Sequence, residues 1–79
     1  MRVYVGFITG KKAYVYIRAK NRTDAWWTFK KEYGIDRAGS VVSENDFELK
    51  IDYYKANGYC CEGTIGEAEN HNLRKRRGA

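Results

Sequence analysis

The sequence predicts an α+β domain: a small antiparallel β-sheet in the order β-β-α-β-β, with one helix packed across one face. Three observations predict it. Two alternating apolar runs near the N-terminus are joined by a short glycine-containing turn; one stripe at helical spacing follows; a third alternating run leads into Asn57-Gly58. At 79 residues the chain is sized for one domain with a modest core. Much of its bulk is aromatic, with two Trp, seven Tyr and three Phe, the side chains that bury the most apolar area apiece.

From Arg2 to Thr9, Val3, Val5 and Phe7 alternate with Tyr4, Gly6 and Ile8, the period of a strand. Thr9-Gly10-Lys11-Lys12 reads as a turn. Beyond it Ala13, Val15 and Ile17 alternate with Tyr14, Tyr16 and Arg18, so the two runs make a hairpin. Then the period changes. Asn21-Arg22-Thr23-Asp24 offers N-cap side chains and an acid for a first helical turn. Trp26, Phe29 and Tyr33 follow at i, i+3 and i+7, and Gly34 stands where a helix would end. The spacing predicts a helix over about residues 23–33.

Asp36 to Asp46 reads as a polar connection, with Val41-Val42 docking part of it onto the core. Phe47, Leu49, Ile51 and Tyr53 then alternate with Glu48, Lys50, Asp52 and Tyr54 as a third strand. Asn57-Gly58 is the strongest short hairpin signal, and Tyr59 to Ile65 is the returning strand. The expected core is Val3, Val5, Phe7, Val15, Ile17, Trp26, Phe29, Tyr33, Leu49 and Ile51. Residues 1–66 form the domain, and residues 67–79 are expected to be a flexible, polar, basic tail.

The net charge is +5, but Arg74, Lys75, Arg76 and Arg77 supply four of those charges and leave +1 for the rest. That run is a candidate contact for a nucleic acid or an acidic partner, or simply a solvated terminus. No apolar run approaches the ~18 residues of a membrane span, and no secretory leader is visible. Cys60 and Cys61 are adjacent and would point to opposite sides of a strand, so they read as reduced thiols of a cytoplasmic chain, one of them in the core.

Catalysis needs a nucleophile with a base, or two converging acid–base groups. The one histidine, His71, falls in the predicted tail, and no G-x-S-x-G, P-loop or H-E-x-x-H motif occurs. Structural zinc needs four ligands in paired spacing, which Cys60, Cys61 and His71 do not supply. Hence no catalytic, cofactor or metal residue is assigned, and a non-enzymatic binding role is expected.

The strand alternation suggests where binding would occur. With the Val/Ile/Phe face against the helix, the open face carries Tyr4, Tyr14, Tyr16, Arg18, Lys50 and Tyr54. Tyrosines with basic neighbours stack nucleic-acid bases, anchor protein interfaces, or merely stabilise a solvated sheet. Trp27 lies about 100° around the helix from Trp26. It is either an interface residue beside Lys30 and Lys31 or is buried under the 36–46 connection.

Tyr16-Ile17-Arg18-Ala19-Lys20-Asn21-Arg22-Thr23-Asp24-Ala25-Trp26 is a strand ending in alanine, then a polar cap and an acid–alanine pair opening a helix. Over about residues 13–35 this pattern resembles small bacteriophage and prophage proteins, among them anti-CRISPR proteins. The resemblance implies an inhibitor in the host bacterial cytoplasm that sits on a protein or nucleoprotein complex of bacterial defence, such as a CRISPR effector. It would act by occupying a protein or nucleic-acid binding surface. Acidic members of such groups mimic DNA; this basic chain departs from them, and no family residue carries over. A DNA- or RNA-binding accessory module and a structural homodimer are the alternatives.

Overall fold

The computed structural model describes residues 2–66. In chain order these form β1 (Arg2–Ile8), β2 (Ala13–Ala19), α1 (Arg22–Tyr33), β3 (Ala38–Ser43), α2 (Glu44–Leu49), α3 (Ile51–Ala56) and β4 (Cys60–Gly66). The class is α+β, as expected, but the sheet is mixed. Its order is β3-β1-β2-β4, with β1 antiparallel to β2 and β3, and β4 parallel to β2. Among the described residues, no helix is long and apolar enough to cross a membrane.

The hairpin and α1 form where the local signals place them. The Asn21 side chain accepts a 2.8 Å hydrogen bond from the Asp24 backbone N–H, satisfying one of the free donors of the first turn. Gly34 ends the helix at φ 89°, a conformation open to glycine, and donates its N–H to the Lys30 carbonyl at 2.7 Å.

The second half departs from the expectation. The 36–46 connection contains β3, and the segment expected as a third strand is helical. Phe47, Ile51 and Tyr54 fall at i, i+4 and i+7, so this stretch satisfies the helical period as well as the strand period. Ser43 supports the helix by accepting from the Asp46 backbone N–H at 3.1 Å, with Glu44 and Asp46 acidic in the first turn. Lys50 alone, at φ −121° and ψ 17°, separates α2 from α3, so the two act as one kinked segment. Asn57-Gly58 makes no hairpin. The Asn57 side-chain amide donates to the Tyr53 carbonyl at 2.7 Å, and Gly58 turns the chain out of α3 at φ 85°. The topology explains why. β3 and β4 are opposite edges of the sheet, so α2 and α3 must carry the chain across its face.

The sheet is therefore covered on both faces. Residues Val5 and Tyr16 are paired, as are Gly6 and Val15, and Phe7 and Tyr14. Odd positions of β1 thus share a face with even positions of β2. This corrects the expected core, which put Val3, Val5 and Phe7 beside Val15 and Ile17. On the α1 side, Tyr4, Ile8, Ala13, Val15, Ile17, Ala19 and Val41 pack with Ala25 and Phe29, flanked by Trp26 and Tyr33. On the α2–α3 side, Val5, Tyr14 and Phe47 pack with Phe7, Tyr16, Val42, Ile51, Tyr54 and Tyr59. Leu49, expected in the core, is 83% exposed because the helical turn swings it away from Phe47.

Gly6 is where α1 comes closest to the sheet. A Cβ there would lie 2.7 Å from the Phe29 ring and 2.9 Å from Ile17 Cδ1. Phe29 and Ile17 are both fully buried, so neither has free space to move into. β4 is held differently. Its residues from Cys60 to Thr64 are exposed, and Lys11 Nζ reaches Glu62 Oε2 at 2.7 Å while the Tyr33 hydroxyl donates to Glu62 Oε1 at 3.5 Å. The Lys11 hydrogen bond and charge hold the Glu62 carboxyl below its usual range, with lesser help from Tyr33 and Arg37.

Gly6→Ala is expected to destabilise the domain by about 2–3 kcal/mol in urea unfolding, the scale of overpacking a full core. Adding Phe29→Leu should cost less in that background than in the wild type, because the shorter side chain relieves the clash; additive losses would exclude this contact. Glu62→Gln should reduce stability near neutral pH. The deficit should shrink as pH falls, since a lowered folded pKa contributes only above the carboxylate's own range and is lost through the folded value. A deficit constant from pH 7 to about pH 3 would rule out the Glu62 charge as its source.

Candidate partner-binding surface

The expected tyrosine face does not exist as an open surface. Tyr4 is buried on the α1 side of the sheet, opposite Ile17. Tyr14 is buried and Tyr16 half-buried beneath α2, their ring centroids 4.7 and 6.2 Å from that of Phe47. Tyr54 lies half-buried on α3, stacked on Phe47 with centroids 5.2 Å apart and planes 7° apart. Burial pushes the phenols of Tyr14 and Tyr16 above their ordinary ionisation range. Both rings thus work as packing, and the reason is α2–α3: a helical segment covers the face that a pair of strands would have left open.

Arg18 is half-buried on β2, and its backbone passes so close to Gly66 that a Cβ there would lie 2.9 Å from the Arg18 nitrogen. Lys50 is exposed at the junction of α2 and α3. The structure therefore does not gather all of these residues into one open site: Tyr14, Tyr16 and Tyr54 share a packed cluster, Lys50 and Tyr54 line one groove, and Tyr4 and Arg18 belong to neither. Arg74, Lys75, Arg76 and Arg77, with His71, lie outside the described residues. Cys60 and Cys61 are both free and exposed, which corrects the expectation of one core cysteine; β4 is an edge strand that no helix covers at that point. Among the described residues, no group of three His, Cys, Asp or Glu side chains is placed to hold a metal ion.

Trp27 is the sequence-predicted residue that stays open. It is 56% exposed, and the 36–46 segment does not bury it because that segment is drawn into the sheet as β3. α1 turns Ala25 and Phe29 inward, which leaves Trp27, Lys30 and Lys31 toward the outer side. The Lys30 ammonium sits 4.5 Å from the Trp27 ring centroid and 5.4 Å from that of Trp26, and the two indoles meet edge to face at 5.5 Å. The cation–π contact pairs the lysine with the indole without burying it. Ile35, 62% exposed, follows just past the helix end.

Other surfaces escaped the sequence reading. A hollow of about 590 Å³ is lined by Arg2, Val3, Tyr4, Arg22, Ser43, Glu44 and Asn45. A groove of about 320 Å³ runs between Val42 on β3 and Asp46, Leu49, Lys50 and Tyr54 on α2–α3. The exposed Leu49 signals the second, but only once the segment is known to be helical.

Tyr14→Ala is expected to cost about 3 kcal/mol in unfolding free energy, as truncation of a buried aromatic does; a loss under about 1 kcal/mol would mean that α2 does not cover the ring. Compared with known proteins, the chain matches no family model, no curated protein and no solved structure.

Proposed function

We propose that this chain is a non-enzymatic binding protein of phage type that inhibits a bacterial nucleic-acid-handling complex, with the outer side of α1 as its contact surface. The observation that carries this reading is Trp27. An indole more than half exposed, held by Lys30 on a rigid helix, costs solvation at rest and gains most when a partner covers it. Its helical setting limits the ordering cost of binding. Lys30 and Lys31 beside it favour a partner surface that carries acids or phosphates. The resemblance of residues 13–35 to phage inhibitors supports a defence complex as the class of target, anti-CRISPR action being its most specific form.

A second reading rests on the same pair. An exposed indole with adjacent lysines also suits base stacking on single-stranded DNA or RNA. Salt separates the two. Direct binding to free oligonucleotide weakens steeply as salt rises, whereas an inhibitor holds its protein target and binds free oligonucleotide poorly.

Affinity purification from bacterial lysate, followed by calorimetric titration of the recovered complex, tests the proposal. Trp27→Ala is expected to weaken binding by about 2 kcal/mol or more, the scale of an aromatic hot spot, with an unchanged circular dichroism spectrum. Unchanged affinity in the folded variant would remove α1 as the contact surface.

A further inference from the structure

The two edges of the sheet are built differently. β4 carries Glu62, tied to Lys11, and Gly63 at φ 131°, and its register with β2 shifts between Tyr14 and Tyr16. Charge and irregularity are devices that stop an edge strand from recruiting another. β3, Ala38-Gly39-Ser40-Val41-Val42-Ser43, holds no charged residue and no proline. Its irregularity falls toward the Ala38 end, opposite Gly6 to Ile8, and leaves Val41 to Ser43 in regular register with Gly6 to Tyr4. Among the described residues, no strand pairs with its outer side.

Alongside that edge runs the groove between Val42 and α2–α3, with Leu49 83% exposed at its wall and Tyr53 62% exposed nearby. We infer that β3 pairs antiparallel with β3 of a second copy of this chain, about a two-fold axis perpendicular to the sheet, joining two four-stranded sheets into one.

Charge selects this occupant. The groove offers one acid and one base, Asp46 and Lys50. A two-fold axis perpendicular to the sheet keeps the α2–α3 layers of both copies on the same side, so groove meets groove. Asp46 then faces the partner's Lys50, and Lys50 faces the partner's Asp46, an arrangement that satisfies both charges at once. The paired edge would satisfy β3 backbone groups that otherwise rely on water, and Leu49 would leave solvent. This surface is separate from Trp27, so the inference stands whether or not α1 is the partner-binding face.

Sedimentation equilibrium over micromolar to millimolar concentrations tests it. The full chain, 9.2 kDa as a monomer, is expected to dimerise. Leu49→Lys should weaken the dimer by about tenfold or more at a position too exposed to matter for folding. Asp46→Lys and Lys50→Glu should each weaken it, by setting lysine against lysine or acid against acid. Mixed together, the two single variants should form a heterodimer, because each then supplies the charge the other lacks. Circular dichroism confirms that each variant is folded, and Trp27→Ala should leave dimerisation unchanged. A wild-type chain monomeric throughout overturns the inference and leaves β3 to an extended segment of a foreign protein. A dimer indifferent to Leu49→Lys, or no recovery on mixing, also overturns it.

Discussion

Val5 stands opposite Tyr16 and Gly6 opposite Val15, and the rest of the structure depends on that register. It places Tyr4, Gly6 and Ile8 with Val15 and Ile17 on one face, and Val5 and Phe7 with Tyr14 and Tyr16 on the other. Neither face is polar, so neither can be left to water, and the chain must supply a cover for each. α1 covers the first by setting Phe29 directly over Gly6, where the missing side chain lets the ring reach the sheet. α2–α3 covers the second by laying Phe47 and Tyr54 onto the tyrosines. A shift of one residue would exchange these faces and put Phe29 over a side chain.

Once both faces are closed, the surfaces that the described residues offer for binding include the outer sides of the helices and the edges of the sheet. This moves the functional question away from the tyrosines. The outer side of α1 is aromatic and basic, with Trp27 held by Lys30. The α2–α3 layer carries Glu44, Asp46, Glu48 and Asp52 against two lysines, and it borders an uncharged strand. The two sides of one small domain thus present unlike chemistry, and each suits a different contact. The basic, indole-bearing helix is the surface proposed above for an acidic or phosphate-bearing partner. The open strand beside the groove is the edge inferred above to pair with its own copy.

β4 shows how little side-chain burial an edge strand needs. It buries only part of Ile65 and Gly66 and is held by its backbone ladder with β2 and by the Lys11–Glu62–Tyr33 contacts. Exposed ion pairs are weak individually. This one ties the hairpin turn, the end of α1 and the edge strand together, and its position at that junction gives it its role.

The sequence by itself determined the hairpin, α1 and both ends of that helix. Those features rest on local causes: alternation over seven residues, an asparagine whose side chain reaches the third N–H, a glycine able to take positive φ. It also set Trp27 about 100° around that helix from Trp26, but only the tertiary structure, by drawing the 36–46 segment into the sheet as β3, decided that it stays exposed. Only the tertiary structure decided the role of Phe47 to Tyr54. That stretch satisfies both periods, and the choice fell to helix because β3 and β4 lie at opposite edges and the connection has to cross the sheet. The fate of the tyrosines followed from the same decision. Alternation says that two sets of side chains point apart; which set meets solvent depends on what packs against each, and here something packs against both.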